Sequence, residues 1–151
     1  MGCLICERIQ LIREGNNPYF VAELETGYVV LGDHQRFYGY TLFLCKEHAS
    51  ELFQLNKSFR EKYLREMVLV SQAVYEAFHP EKLNYELLGN GDSHLHWHLF
   101  PRNPGDTPKR GPVWLLPPEE MYHESNRPEA GKLAGMITLL SGHIKRLQAE
   151  L

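Results

Sequence analysis

An α+β fold, an antiparallel sheet with helices packed on it, is the class that this 151-residue sequence predicts. Three observations carry that reading: short strand-like stretches before residue 46, a long stretch of helical periodicity after it, and a return to strand alternation at His94-Leu95-His96-Trp97-His98-Leu99-Phe100. The length suits one domain, residues 1–151, with a real core, and is short for two. A formal charge of -3 gives no electrostatic reason to expect nucleic-acid binding. No apolar run approaches the length of a membrane span, and residues 1–8 lack the apolar region of a secretory signal, so a cytoplasmic protein without a membrane partner is expected.

The elements follow in order. Tyr19-Phe20-Val21-Ala22-Glu23-Leu24, Tyr28-Val29-Val30-Leu31-Gly32 and Tyr40-Thr41-Leu42-Phe43-Leu44-Cys45 each read as a strand, with turn residues between them, and their succession predicts an antiparallel meander. From about Ser50 to Phe78 apolar residues recur every three or four positions, which predicts one long amphipathic helix ending near His79-Pro80. Its apolar stripe calls for one face of the sheet. Leu83-Asn84-Tyr85-Glu86-Leu87-Leu88 is a fourth strand, Gly89-Asn90-Gly91-Asp92 a turn, and the histidine stretch a fifth strand that could pair with the fourth as a hairpin. A Pro/Gly-rich tract from Pro101 to Pro118 has the make-up of an active-site rim, and a second helix is expected from about Arg127 to Leu151.

Alternation places the three imidazoles on one side of a strand and Leu95, Trp97 and Leu99 on the other. Same-face neighbours stand about 6.6–7 Å apart, so His94 and His98 are about 13 Å apart and cannot share one ion bound at about 2 Å from each nitrogen. The three rings therefore have different tasks. A central imidazole, His96, is a competent nucleophile towards phosphorus when a backbone carbonyl accepts a hydrogen bond from its far nitrogen, and His98 is placed to donate to a phosphate oxygen. Asn84, Asn90 and the forked donors of Arg102 are further candidates for phosphate, although the Asn90 amide could equally cap a turn and Arg102 could serve to anchor a loop. Asp92 would repel phosphate and is expected to face solvent or buttress the backbone.

Cys3 and Cys6 have the spacing of a zinc-binding pair, but a pair does not fill a tetrahedral site. His48, placed at the start of the long helix, and His94 would complete it; redox chemistry and inert thiols are the rival readings. The redox reading is the weaker because no strand precedes the pair to set it at a helix start. Cys45 reads as a buried small hydrophobe.

The run from His94 to Phe100 fits every position of the pattern His-φ-His-φ-His-φ-φ, with φ apolar, and on it the chain closely resembles the histidine triad (HIT) family of nucleotide hydrolases and transferases. The likeness extends through Cys3-Leu4-Ile5-Cys6, Gly39-Tyr40-Thr41-Leu42, Lys46-Glu47-His48 and Asn84 to Asn90. His-Trp-His together with Gly111-Pro112-Val113-Trp114 is similar to a branch of bacterial diadenosine polyphosphate hydrolase-like proteins. The resemblance implies a HIT-like fold with a five-stranded sheet, a long helix and a C-terminal helix, its sheet continued across a homodimer. It implies a nucleotide ligand, His96 as nucleophile, His98 as the group that contacts phosphate and assists the leaving group, a structural zinc ion on Cys3, Cys6, His48 and His94, and no organic cofactor. The implied reaction releases a nucleoside monophosphate through a nucleotidyl-histidine. A nucleotidyltransferase or phosphorylase using the same intermediate, a nucleotide-binding interaction protein with little turnover, and a hydrolase with a catalytic metal on several triad histidines are the alternatives. Two positions depart from the family. Tyr40 stands where many relatives have histidine, and Asn90 and Ser93 stand near where many have a Gly-Gln pair, so phosphate donation would fall to Asn90 and Ser93.

Overall fold

The computed structural model describes residues 2–151. Five antiparallel strands, β1 (Phe20–Glu23), β2 (Gly27–Leu31), β3 (Thr41–Cys45), β4 (Lys82–Glu86) and β5 (His96–Arg102), form one sheet in the order β1-β2-β3-β5-β4. The helices are α1 (Leu4–Arg13), α2 (Lys57–Phe78), the short α3 (Pro118–Met121) and α4 (Ala130–Ala149). This is the α+β architecture expected of a HIT-like fold. The fourth and fifth strands pair as anticipated, with Glu86 opposite His98 and Asn84 opposite Phe100.

Strand alternation divides the sheet between two cores. Val29, Leu31, Phe43 and Leu99 face α2 and α4 and join Val70, Val74, Leu140 and Ile144 in the main core. On the opposite face Tyr28, Val30 and Leu44 pack against Ile5 and Ile9 of α1, and Phe100 packs with Phe37, Val113 and Met121. All five residues of β2 are buried because each of its faces meets a helix.

Three local expectations are corrected. The long helix begins at Lys57 rather than near Ser50: the Asn56 side chain accepts from the Ser58 amide and caps it, and Leu52–Gln54 form a separate 3-10 turn. A 3-10 turn also sets residues i and i+3 on one side, so Leu52 and Leu55 extended the apparent period. His48 consequently lies in the connection between β3 and that turn. The second correction is α1, which local sequence did not announce. Its start is tied by Cys3, which accepts from the Cys6 amide, and by Asp92, whose carboxylate accepts the Leu4 amide at 2.7 Å from 88 positions away. A ten-residue helix held in this way depends on tertiary contacts. The third concerns the histidine strand, which begins at His96 and leaves His94 just outside the ladder.

Candidate active site and metal centre

A cavity of about 700 Å³ opens over the β2, β3 and β5 face. His96 and His98 form its floor, α1 brings Leu4, Ile5 and Arg8 to one wall, and residues 88–92 and the C-terminal segment with Trp114 supply others. The anticipated alternation holds from Leu95 onward, with Leu95, Trp97 and Leu99 turned into the main core.

His96 is buried, and its Nδ1 lies 2.6 Å from the carbonyl oxygen of His94. A carbonyl can only accept, so Nδ1 carries a proton, and in the neutral ring the lone pair is on Nε2. The His98 ring lies beside it, with centroids 4.8 Å apart. Burial, with the charge of His96 adding, pushes His98 down to about 4, so it is neutral at pH 7. Its Nδ1 is 2.6 Å from the Tyr40 hydroxyl. Burial first, then the charges of Tyr122, Glu86 and Asp33, hold the Tyr40 phenol well above its ordinary 10, so it keeps its proton. Trp114 stands edge-on to His98 and donates its indole N–H to Glu86 at 2.7 Å.

His94 turns the other way. Its Nε2 is 2.7 Å from the Cys45 carbonyl oxygen and donates to it, which leaves Nδ1 free to bind a cation. That Nδ1 lies 3.4 Å from Cys3 Sγ, 3.5 Å from Cys6 Sγ and 3.2 Å from His48 Nδ1, while Cys6 Sγ is 3.3 Å from His48 Nδ1. A zinc ion with bonds of about 2.1 Å to nitrogen and 2.3 Å to sulfur has tetrahedral edges of about 3.4 Å (N···N) and 3.6 Å (S···N). The four donor atoms, all within 4.8 Å of one another, fit that tetrahedron. Burial is the main cause pushing the Cys3 thiol up to about 11, so it holds its proton until a metal displaces it. Asp92 accepts amides from Leu4 and His94, the buttressing role expected of it. Burial would raise its carboxyl, but those donors together hold it below the usual range.

The cluster supports a structural zinc site on Cys3, Cys6, His48 and His94. His96 and His98 are not part of that cluster. One premise used against redox chemistry is corrected: Cys3 is the N-cap of α1, so the pair does sit at a helix start. Two imidazoles converging on both thiols favour metal binding. Cys45 is buried, as expected.

The remaining candidates are divided between two places. Asn90 lines the cavity; Ser93 is exposed on the same connection. Asn84 and Arg102 line a different groove, beside β4. Arg102 donates to both carboxylate oxygens of Asp106 at 2.8 and 2.9 Å, to the Gly111 carbonyl at 2.8 Å and to Asn84 at 2.9 Å. The alternative role of a loop anchor describes these contacts. Sequence reasoning did not find the Tyr40–His98 and Trp114–Glu86 bonds or the Arg8–Asp33 ion pair at 3.0 Å on the cavity wall. Only the unusual Tyr40 and the Trp114 motif gave any signal for the first two.

The residues 15–105 match the HIT domain, more than half of the chain, and the chain belongs to that family. Solved structures agree in fold. A histidine triad protein from Bradyrhizobium japonicum is 24% identical, with a TM-score of 0.72 over 83% of this chain and 89% of that one. A zinc-bound histidine triad family protein from Mycobacterium smegmatis is 20% identical, with a TM-score of 0.65 over 100% and 99%. A hypothetical histidine triad nucleotide-binding protein from Sulfolobus tokodaii is 20% identical, with a TM-score of 0.70 over 95% and 94%. No curated protein is significantly similar to the chain. Among the described residues no helix is long and apolar enough to cross a membrane.

Proposed function

We propose that the protein is a nucleotide phosphohydrolase that cleaves an adenosine (di)nucleoside polyphosphate at its α-phosphate through a nucleotidyl-histidine, with residues 1–151 working as one HIT-like domain in the cytoplasm. The observation that carries this reading is the His96–His94 carbonyl bond, which fixes the tautomer of a nucleophile inside a nucleotide-sized cavity. Nε2 of His96 attacks the α-phosphorus; the P–N bond forms as the P–O bond to the leaving group breaks, and the leaving group departs with the electron pair. His98 donates a hydrogen bond where that charge develops. Asn90 and Ser93 offer polar groups to the phosphate, and Arg102 with Asn84 acts by holding the loop beyond β5. Water then attacks phosphorus: the new P–O bond forms as the P–N bond breaks, the electron pair returns to Nε2 and leaves His96 neutral, and the water proton passes to solvent as the nucleoside monophosphate is released. A bound zinc ion supplies fixed charge and geometry to the segment leading into β5. It takes no part in bond cleavage.

Among the described residues the edge strand β4 has no neighbour on its outer side, and its exposed Tyr85 supports a homodimer that continues the sheet. Sedimentation velocity should give twice the chain mass; a monomer at micromolar concentration refutes this. For the chemistry, wild type and His96→Ala are mixed with diadenosine tri- and tetraphosphate, quenched in alkali, and weighed intact. The wild type should gain one nucleoside monophosphate in mass and release the free monophosphate, and His96→Ala should do neither. Full turnover by His96→Ala refutes the nucleophile assignment, and turnover to a new nucleotide when phosphate is added would select the phosphorylase reading.

A further inference from the structure

We propose that Tyr40 is a positioning residue that donates its phenolic hydrogen to His98 Nδ1 and so locks the His98 proton on Nε2, facing the cavity. The proposal rests on the phosphohydrolase reading only for its kinetic consequence; the position of the proton is a property of the unliganded protein.

The Tyr40 ring is held from two sides. On one it stacks on Phe100 with centroids 4.0 Å apart and planes 12° apart. On the other it lies against Gly32, where an added Cβ would fall 2.2 Å from Tyr40 Cδ2 and 2.5 Å from Cε2. Glycine at position 32 therefore makes room for a six-membered ring, and the Gly32 amide donates to the Tyr40 carbonyl at 2.9 Å. The hydroxyl is thus delivered to one place, 2.6 Å from His98 Nδ1.

Two proton arrangements fit that short distance. If His98 Nδ1 carries the hydrogen and donates to the phenol oxygen, the phenolic hydrogen needs another acceptor, and the described residues offer none. If Tyr40 donates, its hydrogen and the Nδ1 lone pair satisfy each other, and the remaining N–H of His98 points into the cavity, where a phosphate oxygen can receive it. The second arrangement leaves no donor stranded. Its surroundings keep it so: Phe100 stacks parallel to His98 at 5.9 Å and Trp114 closes edge-on, itself fastened to Glu86. Neither aromatic ring competes for Nδ1. Each of the two reacting histidines then has its far nitrogen fixed by a different device, a backbone carbonyl for His96 and a phenol for His98, and the two present opposite chemistry to the substrate, a lone pair and an N–H.

The test is the multiple-bond 1H–15N spectrum of zinc-loaded protein carrying 15N-histidine at pH 7, with His98 signals assigned by their loss in His98→Gln. Wild type should show His98 protonated on Nε2 with an unprotonated, hydrogen-bonded Nδ1. Tyr40→Phe keeps the stack and removes only the hydroxyl; it should show a mixture of tautomers, and kcat on diadenosine tetraphosphate should fall about tenfold to hundredfold with little change in KM. A wild-type proton on Nδ1, or a Tyr40→Phe spectrum identical to wild type, overturns the proposal. If Tyr40→Phe does not fold, the wild-type spectrum alone decides. If wild type shows the expected tautomer yet no nucleotide is turned over, the phosphohydrolase reading fails and the positioning role stands.

Discussion

Acidification should destabilise this protein through His98, by an amount that follows from its burial. In the unfolded chain the imidazole titrates near 6.5, whereas in the folded site burial and the charge of His96 bring it down to about 4. Between those values the unfolded state binds more protons than the native state, so stability is full above pH 6.5 and is lost as the pH falls towards 4. Linkage gives a loss of about 2 kcal/mol at pH 5, approaching about 3 kcal/mol below pH 4. Other groups titrate in the same range, so the informative quantity is a difference between two proteins. Urea unfolding of wild type and His98→Gln, repeated from pH 7 to pH 5, isolates the His98 contribution because glutamine does not titrate. The gap between the two curves should change by about 2 kcal/mol across that interval, with the wild type losing more. Parallel pH profiles would refute the reasoning, since they would mean that His98 accepts a proton in the folded site as readily as in water.

Zinc added to chelator-treated protein should raise the thermal midpoint, and Cys3→Ser or Cys6→Ser should abolish most of that rise, because binding to the native cluster is linked to folding; an equal response in the variants would place the metal elsewhere. Gly32→Ala should cost about 1–3 kcal/mol in urea unfolding through the clash of its Cβ with the Tyr40 ring, a typical overpacking penalty, and the additional change Tyr40→Ala should return most of the difference between Gly and Ala at position 32. Additive effects of the two substitutions would show that the close approach has no energetic weight.

The histidine strand was legible because alternation is local: side chains at i and i+2 share a face whatever the rest of the chain does. The same holds for the apolar period of α2 and α4 and for the strand order along the sequence. The zinc ligands were legible only in part. Cys3 and Cys6 have an informative spacing, but His48 and His94 entered as available donors whose convergence no local pattern requires. Helix α1 was not legible, since its capping carboxylate, Asp92, lies 88 positions from the amide it accepts.

By itself the sequence determined the α+β class, the five strands, the face on which His96 and His98 stand, and a cysteine pair with zinc-binding spacing. These depend on periodicity and residue chemistry, which act over a few positions. Tertiary structure decided what surrounds each histidine of the triad. It turned His94 towards the cysteines, set the His94 carbonyl against His96, brought Tyr40 to His98 from 58 positions away, and bound Arg102 into a loop. Hydrogen-bond partners and buried environments are properties of the packed chain, which no local pattern in the sequence contains.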